Sequence, residues 1–66
     1  MKLNELLKVL RGNRVSIVDY ESDKELYFGH SASILKEVDN LENYEIEDVM
    51  QCRRENYLII EVKEVK

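Results

Sequence analysis

The sequence predicts an α+β fold: a four-stranded, mainly antiparallel sheet or small open barrel in αββαββ order, with an N-terminal helix packed on the sheet. Three observations predict it. Leu3, Leu6, Leu7 and Leu10 recur at i, i+3, i+4 and i+7, the spacing that gathers side chains on one side of a helix. Two pairs of β-rich runs follow, each pair split by a short polar stretch, with a short helical pattern between the pairs. Proline is absent and glycine occurs only at positions 12 and 29, so no flexible linker divides residues 1–66 and one domain is expected.

In the first helix Glu5, Lys8 and Arg11 fall away from the leucines and face water. Gly12-Asn13 stops it, because glycine enters the left-handed C-terminal conformation without the strain other residues meet there. Residues 14–20 alternate Val15, Ile17 and Asp19 with Ser16 and Val18, and β-branched side chains favour the extended backbone. The polar stretch Glu21-Ser22-Asp23-Lys24 reverses the chain, and residues 25–29, with Leu26, Tyr27 and Phe28, return as the second strand of a hairpin.

Ser31 or Ser33 can cap the next helix by accepting a hydrogen bond from a free backbone N–H. Ile34, Leu35 and Val38 give that helix a short apolar face, and Asp39-Asn40 ends it. Leu41 and Tyr44 anchor the connection to a third strand built from Ile46 and residues 49–52, in which Asp48 is the awkward residue. Arg54-Glu55-Asn56 makes a second tight turn. Residues 57–65 carry the strongest strand pattern, with Leu58, Ile60 and Val62 on one face and Ile59, Glu61 and Lys63 on the other.

Size limits what this fold can build. A 66-residue chain buries only about 60% of its unfolded surface, and one core of this size rarely supplies more than about 3–5 kcal/mol without a disulfide or metal. Cys52 is the only cysteine, so no internal disulfide can form, which suits a reducing compartment. Association with further copies is the remaining route to more burial. No apolar run approaches the roughly 20 residues of a membrane span; Leu58-Ile59-Ile60 is broken at once by Glu61. Glu5 stands where a signal peptide would begin its apolar stretch, and no small-residue cleavage site follows. A cytoplasmic location without membrane contact is expected.

The parts for catalysis are sparse. Nucleophilic catalysis needs a nucleophile beside an oriented base, and the chain offers one imidazole, His30, one thiol, Cys52, and the hydroxyls of Ser16, Ser31 and Ser33. His30 reads as a solvent-facing loop residue and Cys52 as an inert thiol in an apolar strand, so no enzyme is expected. One histidine and one cysteine cannot furnish a structural zinc site, no Asp-x-Asp-x-Asp-Gly calcium loop occurs, and glycine-rich phosphate loops are missing. No cofactor or metal is expected; Glu45, Glu47 and Asp48 read as an exposed acidic edge.

Charge is the feature with most content. Residues 1–33 hold five bases and five acids, while residues 34–66 hold five bases against nine acids, which accounts for the whole net charge of −4. Glu37, Asp39, Glu42, Glu45, Glu47 and Asp48 follow one another with no intervening base. With Leu41, Tyr44 and Ile46 among them they form an acidic rim around apolar anchors, a composition suited to a basic protein surface. The candidate partner-binding residues are therefore Glu37, Asp39, Glu42, Tyr44, Glu45, Glu47 and Asp48. Solubility explains the same acids without a partner. Direct nucleic-acid binding is disfavoured, because it depends on bases displacing counterions from phosphates, and Lys8, Arg11 and Arg14, with Arg53 and Arg54 apart from them, do not make a groove.

Leu-x-Glu-Leu-Leu-x-Val-Leu at 3–10, Val-x-Ile-x-Asp at 15–19, Leu-Tyr-x-Gly at 26–29 and Leu-x-Ile-x-Val at 58–62 resemble small proteins of bacteriophages, prophages and related mobile elements. The resemblance spans most of the chain and rests on core positions and one glycine, so it bears on fold more than on activity. It implies a cytoplasmic accessory protein that acts by occupying host or phage proteins. The leading expectation is a non-enzymatic protein-interaction module that inhibits a host defence or nucleic-acid enzyme through an acidic surface. The rival is an oligomer that sequesters a nucleotide-like small molecule at an interface lined by Tyr20, Tyr27, Tyr44 or Tyr57 with His30 or Arg14.

Overall fold

The computed structural model describes residues 1–10 and 12–65. Helix α1 spans Leu3–Val9. Its first turn is closed by Glu5, whose carboxylate accepts the Lys2 backbone N–H at 3.1 Å, placing a negative charge where the helix N-terminus favours it. Gly12 adopts φ +76°, the left-handed conformation expected of a helix-stopping glycine. The solvent-facing role expected of Arg11 falls outside the described residues. A hairpin of β1 (Arg14–Asp19) and β2 (Glu25–His30) follows, then helix α2 (Ser31–Glu37), a 3-10 turn (Leu41–Asn43), and a second hairpin of β3 (Tyr44–Cys52) and β4 (Tyr57–Glu64).

The first hairpin turn is built by Asp19. Its Oδ2 accepts the Ser22 backbone N–H at 3.1 Å and the Ser22 hydroxyl at 2.6 Å, while its own N–H and C=O pair with Lys24 and Asp23 at 2.8 Å each. Asp and Ser favour turns for this reason, since their short side chains replace backbone partners.

The strands form one α+β sheet in the order β2-β1-β4-β3. It is an open sheet and it is mixed. Both hairpins are antiparallel, but they meet through a parallel pair, β1 with β4, in register from Val15↔Leu58 to Asp19↔Val62. The expected antiparallel pairing holds within both hairpins, the parallel pair between them was not expected, and the sheet is open where a small barrel was the alternative. The two strands richest in Val, Ile and Leu take the centre, where both flanks are protein, and the more polar β2 and β3 take the edges. Only the route of the chain through α2 and the 3-10 turn decides that β4 runs parallel to β1.

One face of the sheet carries the core. Val15 and Ile17 of β1 and Ile60 and Val62 of β4 lie under Leu3 and Leu7 of α1, Ile34 of α2 and Leu41 of the 3-10 turn, all eight buried. Each such side chain contributes about 1.5–3 kcal/mol relative to exposure. Leu6 and Leu10 pack at its margin with Tyr27, Tyr44, Ile46 and Leu58. Ser31 ties the two helices together. Its N–H donates to the Asn13 carbonyl at 2.9 Å, and its hydroxyl donates to the Leu10 carbonyl, satisfying a C=O that the end of α1 would otherwise leave unpaired. It therefore serves the preceding helix, where capping of its own was expected.

Strand β3 begins earlier than expected, at Tyr44, and absorbs its awkward residue in a β-bulge between Ile46 and Asp48. Its outer edge is protected in three ways: the bulge; the N-terminal residues, where Ile46 N–H donates to the Met1 carbonyl at 3.0 Å and Lys2 bridges to Glu45; and the Asp48 carboxylate, which accepts the Val49 N–H at 2.9 Å. Such devices blunt a sheet edge against unwanted pairing. The molecule measures 33 × 24 × 17 Å, and its thin dimension holds one sheet and one helix layer, leaving the second sheet face uncovered.

Candidate functional site

Side chains alternate across a strand, so the register that buries Val15, Ile17, Ile60 and Val62 turns their neighbours to the uncovered face. The pairings arrange these neighbours in rows across the strands. Glu25, Val18, Glu61 and Asp48 make one row, and Phe28, Ser16, Ile59 and Met50 make the next. Beyond them, His30 pairs with Arg14 on one hairpin and Cys52 with Tyr57 on the other. The face is thus graded from a carboxylate row, through an apolar row, to an end that carries Arg14 and His30.

The apolar row is open to solvent at its two ends, where Phe28 is 51% and Met50 41% exposed, while Ile59 is half-buried and Ser16 buried between them. Phe28 meets Tyr57 edge to face, with centroids 5.2 Å apart and planes at 81°, an arrangement aromatic rings prefer. A depression of about 330 Å³ lies over Ser16, Val18, Met50 and Ile59 and is walled by Glu25 and Glu61. Ser16 donates its hydroxyl to Glu25 Oε1 at 2.9 Å. Asp48 stands directly opposite Glu61 in the ladder, and like charges so placed repel. Among the described residues no lysine or arginine forms an ion pair with Glu25, Asp48 or Glu61; the ion pairs are Glu45 with the Met1 amine and Lys2, and Glu21 with Lys63.

Two phenols are perturbed. Hydrogen bonding with the Cys52 side chain, followed by its charge, raises the Tyr57 phenol above the ordinary tyrosine range. Loss of water, followed by the nearby Glu64 charge, raises Tyr44. Both remain neutral donors at physiological pH. The paired hydrogen bonds from Ser22 hold the Asp19 carboxyl below its usual range.

The structure divides the acidic segment singled out in the sequence. Glu37 ends α2, and Asp39 and Glu42 border a shallow cleft of about 460 Å³ beside Asn4 and Leu35. Tyr44 is half-buried against the core. Glu45 is held by the Met1 amine at 3.4 Å and Lys2 Nζ at 3.6 Å. Glu47 is exposed in the bulge. Asp48 joins the uncovered face opposite Glu61, as does Glu45 opposite Lys63, while Glu25 ends the same row as Asp48 on the far edge strand. The sequence reading missed Glu25, Phe28, Met50, Ile59 and Glu61 as a group. A signal existed in β4: Ile59 sits on the face that otherwise carries Glu61 and Lys63, so one large apolar residue interrupts a polar side.

The sole imidazole and sole thiol are on opposite edge strands, His30 on β2 and Cys52 on β3. Three interstrand spacings of roughly 4.8 Å put them about 14 Å apart, so they make no Cys-His pair. His30 is a strand residue, not a loop residue, and Cys52 is half-buried rather than sealed in the interior. No three His, Cys, Asp or Glu side chains among the described residues are grouped to hold a metal. No helix among them is long and apolar enough to cross a membrane. A groove of about 800 Å³ between the helices, lined by Leu7, Ala32, Leu35, Lys8 and Lys36, is larger than the sheet-face depression but is the ordinary seam of two packed helices. No family model matches the chain, and neither a curated protein nor a solved structure is significantly similar to it.

Proposed function

We propose that this protein is a non-enzymatic protein-interaction module that docks a basic, partly apolar protein surface on the uncovered face of its sheet. One observation carries the reading: an apolar row exposed at its two ends lies beside a carboxylate row whose acids lack basic partners among the described residues. Opposed Asp48 and Glu61 repel each other in the free chain. A lysine or arginine from a partner relieves that repulsion, while Phe28, Met50 and Ile59 supply the apolar contact that interfaces bury at their centre. The resemblance to phage and mobile-element proteins supplies a setting, an accessory protein that inhibits a host defence or nucleic-acid enzyme by covering its basic surface.

The test separates this face from the acids elsewhere. The immobilised chain captures a partner from host lysate, and the purified partner is titrated against variants. Charge reversal at Asp48 and Glu61 is expected to weaken binding by about tenfold or more, each tenfold step being about 1.4 kcal/mol, and added salt weakens it further. Reversal at Glu37 and Glu42, outside the face, leaves affinity within about twofold. Unchanged affinity on reversal at Asp48 and Glu61 refutes the assignment.

A further inference from the structure

The two edges of the sheet are treated differently. Both edge strands carry a bulge, at Leu26 in β2 and between Ile46 and Asp48 in β3, but the β3 edge adds a pairing with the N-terminal residues and a carboxylate on a backbone N–H. The outer edge of β2 has no comparable cover among the described residues: nothing pairs beyond it, and both Leu26 and Phe28 are exposed. We propose that β2 pairs antiparallel with β2 of a second copy about a two-fold axis at Phe28, joining two four-stranded sheets into one of eight strands.

The backbone fixes which residues can meet. Ser31 N–H donates to the Asn13 carbonyl, so in the alternating pattern of an antiparallel ladder Val15↔Gly29 is the next hydrogen-bonded pair, whereas Arg14↔His30 and Ser16↔Phe28 are not. The N–H and C=O groups of Phe28 and His30 therefore point outward, free to pair. A two-fold axis through Phe28 sets it opposite the second copy's Phe28, and brings the bulge at Leu26 beside the second copy's His30. Opposed residues then lie on the same face of the joined sheet, as the pleat requires.

The graded face is self-complementary in this arrangement. The apolar rows become continuous, Met50, Ile59, Ser16 and Phe28 running into the same four residues of the second copy. Because the copies run in opposite directions, the carboxylate row that ends at Glu25 is extended by the row of the second copy that begins at His30 and Arg14. Acid thus adjoins base on both sides of the axis, and two exposed phenylalanines cover each other. Two copies put both apolar rows on one surface, so each supplies its partner with a Phe28 at the edge of the proposed docking face. The pairing of copies nevertheless stands on β2 alone and is tested without any other protein.

Residues directly opposite in a hydrogen-bonded antiparallel pair have Cα atoms about 5.5 Å apart, within the range a disulfide spans. In a Cys52→Ser background, Phe28→Cys is expected to form a covalent dimer on mild oxidation, while Val49→Cys on the protected β3 edge stays monomeric. Light scattering on the unaltered chain is expected to show the mass doubling as concentration rises. Leu26→Lys, which sets a cation against the second copy's His30 from an already exposed position, is expected to shift that transition to at least tenfold higher concentration with an unchanged circular dichroism spectrum. A chain that is monomeric throughout the concentration series overturns the proposal, as does cross-linking at Val49→Cys equal to that at Phe28→Cys. A monomer that still binds a basic partner through Asp48 and Glu61 leaves the docking face standing and removes only the pairing of copies.

Discussion

The two faces of the sheet come from the same strands and carry opposite consequences. On the covered face Val15, Ile17, Ile60 and Val62 are sealed beneath α1, α2 and the 3-10 turn. One residue along in β4, Ile59 looks outward among carboxylates and half-exposed apolar neighbours. Aliphatic residues of one type therefore do different work: Ile60 holds the domain together, and Ile59 maintains an apolar surface. A chain with a single small core has little stability to spare, so residues kept on the second face at the expense of polar contact with water point to a use other than folding.

The most direct way to break this comparison is to truncate the two isoleucines. Ile60→Ala is expected to cost about 2–5 kcal/mol, as buried aliphatic truncations do, which approaches the whole stability of so small a domain. Ile59→Ala is expected to cost less than about 1.5 kcal/mol, because its side chain is only half-buried. Urea denaturation followed by circular dichroism measures both; equal losses would mean that the second face is packed and the distinction is false.

A smaller effect sharpens the covered side. Asn4 Oδ1 is buried with no hydrogen-bond partner, and an unsatisfied polar atom costs about 1–3 kcal/mol. Asn4→Leu is expected to raise stability by about 1 kcal/mol, seen as a higher midpoint in the same denaturation experiment. No gain would show that the oxygen is satisfied in solution.

The smallest effect concerns the first hairpin. The Asp19 carboxyl is held below its ordinary value of 3.8 by the two Ser22 donors. A depressed folded-state value contributes stability that is present in full above the unfolded value and lost as pH falls through the folded one. Acid titration of the unfolding midpoint should therefore show a loss beginning near pH 3.8 and continuing below it. Ser22→Ala removes the hydroxyl donor and reduces this part of the loss; a titration unchanged by Ser22→Ala would refute the turn's role.

Much of the fold was legible because its signals are local. The leucine spacing located α1, Gly12 its end, and the alternation in β4 its two faces. The candidate site was far less legible. The run of acids between positions 37 and 48 looked continuous along the chain, yet it crosses a helix end, a 3-10 turn, an edge strand and a bulge, so adjacent acids point in different directions. The carboxylate row draws one acid from each of β2, β4 and β3. Nothing close in sequence links Glu25, Asp48 and Glu61.

The sequence by itself determined which segments are helical or extended and which side of each is apolar, since those properties depend on residues within a few positions of one another. The tertiary structure alone decided that β4 lies parallel beside β1, and from that pairing came the carboxylate row, the apolar row and the exposed β2 edge. The physical reason is the range of the interaction. Val18 meets Glu61 across the sheet only because the whole intervening chain packs so as to bring the two hairpins together.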